Sequence, residues 1–146
     1  MLVDDGLELL TEAEARQLLA GATVGRIGIS LSALPAIFPV NYRILDDRIV
    51  FRTATGSKLA AAAAGSVVAF EADDYESADR SGWSVLAIGQ AEIVHDAAVL
   101  DLVAATGLQL FPDGARTDVV RIDPTFISGR RLIHPPQPVS GSHAVL

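Results

Sequence analysis

The sequence predicts a mainly antiparallel β fold with a few short helices, on three observations. Strand-like segments with period-two alternation outnumber helical ones. Hairpin signals link several of them in succession, as at Asp46-Asp47. The regular strand–helix alternation of a doubly wound parallel sheet is missing.

The chain has 146 residues, half of them hydrophobic and only 5% aromatic, so one core built from Ala, Val, Leu and Ile is expected. Residues 1–134 read as one domain. Residues 135–146, rich in Pro, Ser and Gly, read as a loose tail. The formal net charge of −7 argues against a nucleic-acid surface, which needs clustered Lys and Arg. It leaves room for one small anion at a local basic site. The absence of cysteine removes disulfides, thiolate metal sites and Cys nucleophiles. Asp4 and Asp5 stand where a signal peptide would carry positive charge, and no apolar run is long enough to span a bilayer, so a cytoplasmic protein without a membrane partner is expected.

Thr11-Glu12-Ala13-Glu14 is a capping box and starts a helix that stops at Gly21. Val24–Ser30 follows as a strand, with Val24, Arg26, Gly28 and Ser30 on one side and Ile27 and Ile29 on the other. Ala36–Leu45 reads as a strand after a turn at Pro35, and Pro39 within it implies an edge, a bulge or a bend. Arg48–Thr53 returns from the Asp46-Asp47 turn. A short Ala-rich helix, Leu59–Ala64, has little bulk and can pack close to a sheet. Ser66–Asp73 is a strand, Asp74–Ser81 a polar loop and Gly82–His95 a long strand that Gly89 allows to coil. Asp96 caps a helix over Ala97–Thr106. Asp118–Asp123 and Thr125–Ile133 read as a final hairpin of two strands hinged at Pro124.

The segment richest in chemistry is Phe51-Arg52-Thr53-Ala54-Thr55-Gly56-Ser57-Lys58-Leu59. Two cations, three hydroxyls and a glycine sit where a strand passes through a loop into a helix. Such a set can hold a phosphate by charge-assisted hydrogen bonds. The spacing alone equally describes a helix cap and two solvated cations. Neither a Walker loop nor a dinucleotide-binding fingerprint is present. Trp83, the single tryptophan, reads as a core or interface anchor. Tyr42 reads as either a half-buried strand aromatic or a ligand contact. His95, His134 and His143 lack metal-ligand spacing, so no metal site is expected. The acidic run from Glu71 to Asp79 reads as a solvated loop. No catalytic residue stands out.

Five stretches taken together resemble the flavin-binding split-barrel superfamily of pyridoxamine 5′-phosphate oxidase, in its nitroimidazole-reductase-like branch. They are Val24-Gly25-Arg26-Ile27, Pro39-Val40-Asn41-Tyr42, Phe51-Arg52-Thr53 with Gly56-Ser57-Lys58, Gly82-Trp83-Ser84-Val85 with Gly89, and Ile127-Ser128-Gly129-Arg130. The resemblance implies a six-stranded antiparallel split β-barrel that works as a homodimer and binds FMN at the dimer interface. It implies that Arg52, Thr53, Ser57 and Lys58 hold the FMN phosphate. Val40, Asn41 and Tyr42 would lie along the ring, largely through backbone groups. Trp83 and Ser84 would line the pocket from the partner subunit. The implied activity is a flavin-dependent oxidoreduction of a small conjugated or nitro compound. A deazaflavin-dependent reductase, or a non-catalytic flavin- or haem-binding carrier or sensor, are the alternatives. Two departures count against oxidation of pyridoxamine phosphate itself. Val40–Ile44 carries only Arg43 as a base, and Gly129–Pro135 does not match the family's substrate-binding close.

Overall fold

The computed structural model describes residues 2–3, 7–109 and 116–132. In chain order the elements are β1 (Leu2–Val3), β2 (Leu7–Leu9), α1 (Glu12–Gly21), β3 (Val24–Leu31), β4 (Leu34–Leu45), β5 (Arg48–Ala54), α2 (Lys58–Ala63), β6 (Val67–Glu76), β7 (Ser81–Ile93), α3 (Ala97–Ala105) and β8 (Thr117–Leu132). Every strand pairing is antiparallel. Six strands close a ring in the order β8-β5-β4-β3-β6-β7, because β7 also pairs with β8. The short β2 adds to β8 at Arg130–Leu132, and β1 adds to β2.

Alternation along each strand fills the ring. Ile27, Tyr42, Phe51, Phe70, Val85 and Ile122 point inward and are buried, joined by Ala15 and Leu19 of α1 and Ala63 of α2. The alanines of α2 let it sit close to this core, as its composition predicts. A second cluster lies outside the ring, where α3 and Leu108 cover the outward side of β5 and β8 through Val50, Val103 and Val119. Both faces of β5 are therefore buried.

Local signals read from the sequence reappear at several points. Thr11 and Glu14 form the reciprocal capping box of α1. Asp46 and Asp47 both take positive φ, the backbone of a tight hairpin turn whose twist matches its strands. Asp96 caps α3 by accepting from the Ala98 and Val99 amides.

Three expectations need correcting. Pro35 is not a turn residue: it pairs with Ser30 inside β4, and the turn is Ser32-Ala33, both at positive φ. The acidic run is only partly a loop, since β6 continues to Glu76 opposite Ser81. The final hairpin does not exist. Residues Thr117–Leu132 are one continuous strand, and the break at Pro124 is absorbed by a register shift between Ile88 and Gly89 on β7. Gly89 is required there, because a Cβ would stand 2.0 Å from the Asp123 carbonyl oxygen. The expected tail, residues 135–146, lies outside the described residues.

One discontinuity shapes the site. β4 and β5 pair only from Tyr42–Leu45 to Arg48–Phe51. Beyond Tyr42 toward its start, β4 is paired with β3 alone, and the ring is split between β4 and β5. Pro39 lies in this half-paired stretch. Its missing N–H falls on the open side, which is why a proline is tolerated there.

Candidate functional site

The split is bordered by Asn41 of β4 and by Arg52–Ala54 of β5. The Tyr42 amide donates to the Thr23 carbonyl at 3.0 Å, on the β3 side. Main-chain groups of alternate residues point to opposite sides of a strand, so those of Asn41 face the gap. The Asn41 side chain is exposed. Of Val40, Asn41 and Tyr42, only Asn41 thus presents both backbone and side-chain polar groups to a ligand.

Tyr42 does not offer its ring. The side chain is fully buried, packed edge-on to Phe70 with ring centroids 4.8 Å apart. Its hydroxyl donates to the Leu19 carbonyl in the last turn of α1. Burial, with a smaller contribution from the Glu71 charge, pushes its hydroxyl up to about 12. The expected contact between Tyr42 and a flavin ring is not offered by its buried side chain, and its main-chain groups face β3 rather than the split.

The expected phosphate set is divided between the two faces of β5. Thr53 points inward, is 5% exposed, and shares a 2.9 Å hydrogen bond with the Ser57 hydroxyl. Ser57 also caps α2 by accepting from the Ala60 amide. This pair shapes the turn into α2, and Thr53 is closed to a ligand. Arg52 points outward with Val50. Its Nε donates to the Leu108 carbonyl at 2.8 Å and its Nη1 to Thr117 Oγ1 at 3.2 Å. Those bonds fix the guanidinium and leave Nη2 without a protein partner among the described residues. Lys58 is exposed at the first position of α2.

Seven of the eleven cations have no carboxylate partner among the described residues, and four of the seven lie on or beside β4, β5 and α2. Arg16, Arg26, Arg48 and Arg121 each have a carboxylate within 4.0 Å. Arg43, Arg52, Lys58 and Arg116 have none among the described residues. Arg43 sits on β4 opposite Val50, Arg52 lies two positions on from Val50, and the Arg116 carbonyl accepts from the Thr55 amide. In a chain of net charge −7, four cations without carboxylate partners surround the β5–α2 turn. Asp118 is the nearby acid, reached only through a 3.4 Å contact from Thr55. In the sequence Arg43 stands out only as the one base of Val40–Ile44 and Arg116 does not stand out at all; the lack of an acidic partner is a signal visible only in three dimensions.

Trp83 and Ser84 stand apart from this cluster. Trp83 points inward and packs against the core, which is the anchor role. Ser84 points outward beside Arg130. Arg52 pairs with Val119 near the start of β8, whereas Ser84 pairs with Arg130 near its end. Within one chain the two groups cannot line one ligand. On the outward face around Ser84 a cleft of about 460 Å³ includes Glu71, Asp73, Leu86, Ser128 and Arg130. Arg26 of β3 bridges Glu71 at 3.1 Å and Asp73 at 3.2 Å. Burial, with Asp73 adding to it and Arg26 opposing it, pushes the Glu71 carboxyl up to about 7. No group of three or more potential metal ligands is found among the described residues, and no helix is long and apolar enough to cross a membrane.

The chain is an antiparallel ring of strands, split between β4 and β5 beside the strand–turn–helix that carries Arg52 and Lys58. The chain belongs to the pyridoxamine 5′-phosphate oxidase family, whose model matches residues 11–131. The Mycobacterium tuberculosis (strain ATCC 25618 / H37Rv) protein Rv0080 is 39% identical over 131 residues, covering 85% of this chain and 84% of the relative. The FAD binding protein from Mycobacterium smegmatis is 38% identical with a TM-score of 0.77, over 86% of this chain and 98% of that one. An FAD and heme binding protein from the same species shares the fold alone, at 16% identity and a TM-score of 0.71, over 92% and 77% of the two chains.

Proposed function

We propose that this protein binds a flavin nucleotide at the split between β4 and β5 and uses it as an oxidoreductase on a small conjugated or nitro compound. The observation that carries this reading is the set of carboxylate-free cations around the β5–α2 turn, next to the unpaired main chain of Asn41. A phosphate dianion there would meet Arg52 Nη2, the Lys58 ammonium and the Arg43 guanidinium. Charge-assisted bonds of this kind are the strong ones. Asn41 would meet the polar edge of the ring system with an amide, a carbonyl and a side chain. Thr53 and Ser57 would act indirectly, by holding the turn from which Lys58 projects.

When bound, a flavin supplies the hydride and electron chemistry, and the protein's part is to hold, orient and shield it. The FAD-binding relative at 38% identity supports flavin over haem or a deazaflavin. Its second phosphate and adenosine make FAD a stated alternative to FMN. Arg116, at the outer border of the cation cluster, is the residue available to a diphosphate. Homodimerisation and a partner contribution from Ser84 belong to the same proposal, because Ser84 cannot reach this cluster within its own chain.

The test is titration of the purified protein with FMN and with FAD, followed by flavin absorbance and fluorescence. Arg52→Ala with Lys58→Ala is expected to weaken binding by roughly 3–6 kcal/mol in total, from two charge-assisted contacts of about 1.5–3 kcal/mol each. Unchanged affinity in the double variant would remove the assignment.

A further inference from the structure

The end of α3 reads Thr106-Gly107-Leu108, and each of the three residues has a distinct task there. Thr106 is the C-cap, and Gly107 takes φ +76°, the left-handed backbone that a glycine adopts without steric cost. The Gly107 amide donates to the Ala104 carbonyl at 3.1 Å, which turns the chain out of the helix. The Thr106 hydroxyl donates to the Val103 carbonyl at 2.6 Å and accepts from the Leu108 amide at 3.3 Å. Leu108 places its side chain, 3% exposed, in the cluster with Val50, Val103 and Val119 on the outward side of β5 and β8. The Leu108 amide is thus held by a hydroxyl and its side chain by packing. Its carbonyl is left to accept from Arg52 Nε at 2.8 Å.

A second anchor comes from the start of β8. Thr117 pairs with Ala54 across the strands, and its hydroxyl accepts from Arg52 Nη1 at 3.2 Å. The two anchors grip one guanidinium at two of its nitrogens. Ordering a long side chain on binding opposes affinity, and an arginine ordered beforehand avoids that cost.

The nature of the anchors matters as much as their number. Arg16, Arg26, Arg48 and Arg121 are held by carboxylates, which also cancel their charge toward any incoming anion. A carbonyl and a hydroxyl orient Arg52 and leave its net charge intact. Its Nη2 has no protein partner among the described residues, and a guanidinium fixed in place but not neutralised is suited to a phosphate oxygen.

We infer that the C-terminal turn of α3 belongs to the anion site, with Thr106 and Thr117 as positioning residues that hold Arg52 for the flavin phosphate. The inference rests on the flavin-site reading above and extends it to two hydroxyls that act through Arg52. Thr106 acts at one further remove, by fixing the Leu108 carbonyl. Because Arg52 meets the phosphate and not the ring, these hydroxyls set the preference for a flavin nucleotide over riboflavin, which has the same ring and no phosphate.

The experiment is equilibrium titration of variants with FMN, FAD and riboflavin. Thr106→Val and Thr117→Val are each expected to bind FMN or FAD roughly three- to tenfold more weakly than the unaltered protein, with riboflavin binding unmoved. Thr106→Ser and Thr117→Ser keep the hydroxyl and are expected to keep the nucleotide affinity. In an Arg52→Ala background neither valine substitution is expected to weaken nucleotide binding further, because nothing is left to position. Thr117→Val carries the comparison if Thr106→Val does not fold, since Thr117 is a half-buried strand residue whose hydroxyl serves Arg52 and supports no backbone group. Valine variants that bind the nucleotide normally overturn the inference and leave the Arg52–Lys58 site standing. Losses that persist in the Arg52→Ala background, or that fall equally on riboflavin, have the same meaning. Normal nucleotide binding by Arg52→Ala with Lys58→Ala, or no binding by the unaltered protein, overturns both readings.

Discussion

Tyr42 shows how one residue can be recruited twice. Its main-chain amide ties β4 to the Thr23 carbonyl on the β3 side, while its side chain ties β4 to α1. The hydroxyl donates to a carbonyl that lacks an intrahelical partner, because Leu19 lies within the last four residues of α1. Tyr42→Phe should destabilise the fold by about 1–3 kcal/mol, since it leaves that carbonyl unsatisfied in a buried place. Denaturant midpoints measured on both proteins check this. In a Tyr75→Phe background, the tyrosinate absorbance of Tyr42 should not develop until about pH 12, because burial and the Glu71 charge both oppose ionisation. The hydrophobic period of β4 shows that Tyr42 faces inward. The identity of its acceptor could not be read there, because Leu19 is 23 residues away.

At the level of elements, the instructive pair is β7 with β8. Asp118–Asp123 and Thr125–Ile133 read locally as two strands, since Pro124 interrupts the pattern. In three dimensions the interruption is matched by the bulge at Ile88/Gly89, and the strand continues. A proline break in one strand can be accommodated only by a neighbour, so its outcome is not written in the segment that contains it. Gly89→Ala is expected to destabilise severely, because its Cβ would collide with backbone at Asp123 and Pro124 and no flexible side chain can yield. Thermal unfolding of the variant against Gly28→Ala, where the nearest atom is Ala69 Cβ at 3.5 Å, makes the comparison internal. β5 teaches a second lesson. The alternation over Arg48–Thr53 is visible in the sequence, but burial of its outward side under α3 is not. The phosphate set was therefore read as one cluster, whereas Arg52 and Thr53 lie on opposite sides of the strand.

For the whole molecule, Glu71 links protonation to folding stability. The groups facing it are Arg26 from β3, Asp73 on its own strand and Tyr42 from the interior, while its β7 partner Leu86 is uncharged. In the single chain its carboxyl is raised from 4.5 to about 7, first by burial and then by Asp73. The folded chain therefore holds more protons at this carboxyl than the unfolded one between about pH 4.5 and pH 7, so the stability it contributes is fully present below about 4.5 and is lost as pH rises through about 7. Denaturant midpoints between about pH 4 and pH 8 should show this slope, and Glu71→Gln should flatten it. An unchanged slope in Glu71→Gln would place the titrating group elsewhere.

The sequence by itself determined the elements that depend on neighbouring residues: the capping box at Thr11, the hairpin at Asp46-Asp47, the two faces of β3, the antiparallel class and the ordered motifs of the family. These rest on periodicity, turn chemistry and local hydrogen bonds, all readable within a few residues. Only the tertiary structure decided the closure of the ring through β7 and β8, the addition of β2, the split at Asn41, and which cations lack an acidic partner. Each of these follows from register between segments far apart in the chain. Register is selected by the whole core at once, since slipping a strand by one residue would turn its buried face outward.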